Sequence, residues 1–120
     1  MKYTCPDEKA PAAEDVIAGY QQLIERAHLH KMRIIGATLT PFEDAFKGAP
    51  LEGYYSPAKE QKRQAVNKWI REIGAFDGVI DFDAAVRDPS RPSSIQAAFD
   101  SGDHLHPNDA ATKRWRNRSI

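Results

Sequence analysis

A single cysteine, no long apolar run and no net charge set the first limits on this 120-residue chain. Cys5 alone can form neither an internal disulfide framework nor a metal site built from several thiolates. No stretch approaches the roughly 20 apolar residues that a bilayer-spanning helix needs. The opening MKYTCPDEKAP carries Lys2 without an apolar run behind it, so it does not read as a secretory signal. A reducing compartment is the simplest setting and the cytoplasm the default location. The 17 basic and 17 acidic residues cancel, so no global attraction draws the chain to phosphate and no nucleic-acid partner is expected. At 41% hydrophobic and 28% charged, the composition suits a folding chain rather than a disordered one. Area scaling at 13.5 kDa gives about 6,500 Å² of surface for a compact fold, which means one modest domain.

What is present alternates between helix and strand patterns. Residues 1–11 are polar and punctuated by Pro6 and Pro11. Val16, Ile17, Tyr20, Leu23, Ile24 and Ala27 then recur at three- and four-residue steps, predicting a helix over 12–30. Residues 33–39 are short, β-branched and apolar, the pattern of a buried strand. A long connection over 40–57 follows, of a length that is often functional in a small α/β protein. Ser56 can cap a second helix with Pro57 in its first turn. Ala65, Val66, Trp69, Ile70 and Ile73 continue that helix to Gly74. Residues 78–82 read as a second buried strand, 83–94 as turns, 95–99 as one helical turn, and 113–118 as a solvated basic terminus.

This order predicts an α/β sheet with two adjacent parallel strands joined by a right-handed helical crossover. A sheet of this type ordinarily has about four to six strands. Two strands would leave one sheet face, expected to carry Ile34, Ile35, Val79 and Ile80, without cover. The sequence therefore reads like part of a domain, and self-association through the exposed sheet surface is a natural expectation.

The densest cluster of chemistry is the loop 100–109. Asp103 and His106 stand three apart between Gly102 and Pro107, which prevent a regular helix. In such a turn a carboxylate can accept the Nδ1 proton of an imidazole, leaving Nε2 free to take a proton from a nucleophile. For an arbitrary D-x-x-H match the commoner outcome is that His104, His106 and the aspartates cap a turn and face solvent. No nucleophile stands out. Ser56, Ser90, Ser93, Ser94, Ser101 and Ser119 include none placed after a buried strand in a tight glycine turn, and Cys5 lies in a polar terminal segment. Asp81, Asp83, Asp103, His104, His106 and Asp109 offer oxygen and imidazole ligands, but no H-x-H or H-E-x-x-H pattern organises them. Asp81 and Asp83 are expected to cap the loop leaving the second strand, and no metal or cofactor is assigned.

At this loop the sequence meets a known family. Gly36–Ala–Thr–Leu–Thr–Pro–Phe42, then Arg63, then Val66–Asn–Lys–Trp–Ile–Arg71, then Phe76–Asp–Gly–Val–Ile–Asp–Phe–Asp83, and finally Asp100–Ser–Gly–Asp–His–Leu–His–Pro–Asn–Asp109 resemble the C-terminal part of GDSL-like esterases, the SGNH hydrolases. The resemblance covers about residues 12–109. It implies a flavodoxin-like three-layer α/β/α sandwich, here partial, with its N-terminal strands missing. It also implies hydrolysis of esters of lipids, small acyl compounds or acetylated carbohydrates, with Asp103 as catalytic acid and His106 as base. The family's G-D-S nucleophile block and its glycine and asparagine oxyanion blocks are not found in these 120 residues. The expectation is a truncated serine esterase, inactive alone, with a polar N-terminal segment (1–11), an SGNH-type portion (12–109) and a divergent basic tail (110–120). The alternative is a non-catalytic remnant or small interaction module that uses its uncovered sheet face.

Overall fold

A computed structural model describes residues 6–49 and 53–117. Cys5, Ser119 and Arg118, weighed above, lie outside the described residues. The chain runs from a short 3-10 turn at Asp7–Lys9 into helix α1 (Ala13–Leu29), strand β1 (Ile35–Ala37), helix α2 (Pro57–Glu72) and strand β2 (Gly78–Ile80). Helix α3 (Phe82–Val86), a 3-10 turn at Ala97–Phe99 and helix α4 (Asp109–Arg116) complete it. β1 and β2 pair in parallel, with Ile35 opposite Gly78, Gly36 opposite Val79 and Ala37 opposite Ile80.

Each long helix follows from its sequence. The Ser56 hydroxyl accepts the Lys59 amide at 3.2 Å and Pro57 takes the first turn of α2, so the expected cap is present. α1 has acidic Glu14 and Asp15 at its positive end and His28 near its negative end. The apolar stripes of the two helices meet in a cluster of Ala13, Val66 and Ile70, against which Tyr20, Trp69, Phe76 and Val79 pack. Gly36 is the strand residue that allows this closure. A Cβ there would lie 2.4 Å from the Phe76 ring, so only a bare Cα lets the ring cover the sheet.

The strands are less buried than their apolar runs predict, because among the described residues the α1–α2 core packs on the face that carries Val79. Ile35 is 46% exposed, and Val79, expected on the open face, instead belongs to the helix-covered one. The second strand is also shorter than expected. Asp81 accepts the Ala84 amide at 3.0 Å and caps α3, so Phe82 starts a helix instead of ending a strand.

A second small core joins Ala85, Val86, Ile95 and Ala111, with Phe99 and Trp115 against it. It corrects the reading of the terminus as an unpacked tail. The Asn108 side chain caps α4 through the Ala111 amide, Ala111 is fully buried, and Trp115 lies on Phe82 with ring centroids 4.5 Å apart.

Between the two cores sits a knot of charge. Asp83, with no solvent exposure, accepts hydrogen bonds from Arg63 at 2.7 Å, Arg71 at 2.6 Å and Arg87 at 2.8 Å. Arg63 also forms two 2.7 Å bonds to Glu60 and donates to the Leu39 carbonyl. Burying charge is unfavourable unless it is paired and hydrogen-bonded, and removing one partner of a buried pair typically costs about 3–5 kcal/mol. Asn67, also fully buried, accepts the Leu39 amide and donates to the Leu39 carbonyl, clamping the exit of β1.

Candidate active site

The loop joining the 3-10 turn at Ala97–Phe99 to α4 is built by two aspartates. Asp100 Oδ1 accepts the amides of Gly102 and His104, and its Oδ2 lies 2.6 Å from His104 Nδ1. Asp103 Oδ1 accepts the amides of Leu105 at 2.9 Å and His106 at 2.8 Å. The loop is closed at its base by the Ser101 amide on the His106 carbonyl and by the Asn108 amide on the Phe99 carbonyl. Gly102 adopts a φ of +115°, which favours glycine, so its place in the sequence is dictated by the turn.

Within this frame Asp103 Oδ2 lies 2.5 Å from His106 Nδ1. A carboxylate only accepts, so Nδ1 carries the proton in this contact and Nε2 of the neutral ring holds the lone pair. Partial burial works against the ionised form of Asp103. The His106 ring, the His106 and Leu105 amides and the Ser101 hydroxyl outweigh it and hold the carboxyl well below the usual range. The pair is on the surface, the imidazole 65% exposed and the carboxylate 31%. His104 turns to Asp100 rather than Asp103. The Asp100–His104 pair itself, spaced four apart, was not expected and could have been read from that spacing.

Other sequence candidates are engaged elsewhere. Asp81 binds Arg71 and Thr38, while Asp83 is enclosed by arginines, so neither carboxylate is open to a metal in this arrangement. His28 bonds Asp77 at 2.9 Å, tying the end of α1 to the approach to β2. Ser93 and Ser94 donate to Glu43, Ser56 to Asp7 and Ser101 to Asp103. Among the described residues, no hydroxyl is hydrogen-bonded to His106.

The sequence reading missed what surrounds the pair. An open cleft of about 440 Å³ is walled by Val16, Leu39, Phe42, Tyr54, Val66 and Leu105. Leu105 sits between Asp103 and His106 in the chain, so the loop that holds the pair also forms part of the cleft wall. Phe42, Phe46, Tyr54 and Tyr55, all from the long connection after β1, contact one another edge to face, and Phe46 reaches the His106 ring. Their signal was four aromatic residues within one loop.

The chain is thus an α/β protein with a small parallel sheet and an Asp–His pair in a surface loop beside an apolar cleft. The chain matches the GDSL-like Lipase/Acylhydrolase family over residues 3–118 and belongs to it. The α/β architecture is consistent with the SGNH-type fold in general, and membership supports a general esterase or hydrolase function. No curated protein matches the chain significantly. Among the described residues, no helix is long and apolar enough to cross a membrane.

Proposed function

We propose that this chain carries the acid–base half of a serine esterase site, with His106 as general base and Asp103 as the group that orients it. The serine hydroxyl and the oxyanion donors come from outside these 120 residues, on upstream sequence or another polypeptide. The observation that carries the reading is the 2.5 Å contact between Asp103 Oδ2 and His106 Nδ1, which leaves Nε2 available. In the completed site Nε2 takes the serine proton as the oxygen attacks the ester carbonyl carbon. The imidazolium formed is stabilised by Asp103 and returns the proton to the departing alkoxide, leaving an acyl-enzyme. Water then repeats the sequence, with His106 again as base, and releases the acid.

The substrate is an ester whose apolar part suits the cleft beside Leu105. The test has two arms. The 120-residue chain, assayed with an activated ester, is expected to give only the slow hydrolysis typical of exposed imidazole, reduced in His106→Ala. Adding a polypeptide that bears a G-D-S block from upstream of Met1 is expected to bring saturable turnover that His106→Ala abolishes. Saturable activity of the chain alone, lost on treatment with a serine-directed inhibitor, would overturn the incomplete-site reading. A completed protein indifferent to His106→Ala and Asp103→Asn would overturn the assignment of the pair.

A further inference from the structure

The candidate base is an exposed ring held at one nitrogen, and a single hydrogen bond leaves the plane of an imidazole free to swing. A second hold comes from the connection after β1. The Phe46 ring lies 6.2 Å from the His106 ring, centroid to centroid, at 62°. Its own amide donates to the Asp103 carbonyl at 2.9 Å. One residue thus touches both members of the pair, His106 by its ring and Asp103 by its backbone.

Phe46 is itself held firmly in an unfavourable backbone conformation. Its φ is +59° and that of Asp44 is +64°, a region that side-chain-bearing residues avoid. Such conformations persist where the surroundings over-determine them, and they gather at functional sites. Here the turn is tethered by Glu43, whose amide donates to the Ser93 carbonyl and whose carboxylate accepts the Ser93 and Ser94 hydroxyls. The Phe46 ring also meets Tyr54, at 5.7 Å.

We propose that Phe46 is a positioning residue for His106, fixing the plane of the imidazole so that Nε2 keeps one direction while Asp103 fixes the tautomer. This rests on the reading of Asp103 and His106 as an acid–base pair. Phe46 moves no proton; it acts through His106.

The test is nitrogen-15 NMR of the histidine rings in the 120-residue chain at neutral pH, reading tautomer and ring mobility. His106 is expected as the Nδ1–H tautomer with a restrained ring. Phe46→Leu keeps the backbone bond and most of the volume. It is expected to leave the Nδ1–H tautomer, which Asp103 holds, in place and to free the ring, raising its mobility to that of the exposed His30. Phe46→Tyr should restore the wild-type values, and His104, held by Asp100, should not respond. A variant that lowers the melting temperature but leaves the His106 ring unchanged would show a purely packing role and overturn the proposal. Should Phe46→Leu fail to fold, the wild-type ring decides, because a His106 as mobile as the exposed His30 is equally fatal. Asp103→Asn in the same spectra separates the two readings. If it leaves the tautomer of His106 unmoved, the acid–base reading fails; if Asp103 matters and Phe46 does not, only the positioning role fails.

Discussion

Asp81 and Asp103 are both carboxylates held in ionised form, and they differ in what holds them. At Asp81 burial opposes the charge, but Arg71, the Ala84 amide and the Thr38 hydroxyl outweigh it, placing the carboxyl well below its ordinary range. A depressed folded value means that stabilisation is complete above the unfolded pKa, about 3.9, and fades as the pH falls through the folded one. The stability difference between wild type and Asp81→Asn, read from urea midpoints, should therefore be constant from about pH 7 to 5 and shrink below about pH 4. An equal difference at every pH would show that the ion pair contributes nothing and only the cap matters. At this scale the Asp103–His106 pair was legible in the sequence because its partners are three residues apart in a turn defined by Gly102 and Pro107. The Arg63–Asp83 bond and the Asn67 clamp on Leu39 were not, since their partners are 20 and 28 residues apart and no local spacing relates them.

Among the elements, α1, α2 and their ends could be read almost to the residue, because periodicity and capping are local signals. β1 and β2 were legible as a parallel pair but not in their burial, since whether an apolar run has two covered faces depends on the strands beside it. α4 was concealed by its composition. Its lysine and arginines suggested a solvated end, while the packing rests on two residues, Ala111 and Trp115. The most sensitive point in the sheet is Gly36. Gly36→Ala forces the Phe76 ring away from β1, and overpacking of this kind costs about 1–3 kcal/mol. The expected outcome is a lower chemical-denaturation midpoint, with the Phe76→Leu background relieving most of the loss. An unchanged midpoint would mean that the ring moves aside freely and that the closure of α2 on the sheet does not depend on it.

The whole molecule is larger than its mass requires. Its surface is 7771 Å², against about 6,500 Å² for a compact fold of this mass. Its radius of gyration is 15.3 Å, against about 13.6 Å for a compact 120-residue domain. Part of the excess is apolar: Leu29, Met32 and Ile73 are each at least 60% exposed, and Ile35 lies open on the sheet. Exposed apolar surface of this kind marks contact sites or association. The isolated chain is expected to bind a hydrophobic dye and to gain average mass with concentration in sedimentation experiments. A strict monomer with a cooperative melt at high temperature would contradict this, and with it the interaction-module alternative.

The sheet also has a history during synthesis. The bonds that join the two strand regions, Ile34 to Asp77 and Thr38 to Asp81, each span 43 residues. A ribosome adding about 5–20 residues per second therefore leaves β1 without its neighbour for about 2–9 seconds. An unpaired strand in that interval is open to other nascent chains, and long apolar edges are the dangerous ones. β1 is three residues long with glycine at its centre, a poor template for cross-chain pairing. The missing side chain that lets Phe76 close over the finished sheet thus also keeps the waiting strand from adhering to the wrong partner.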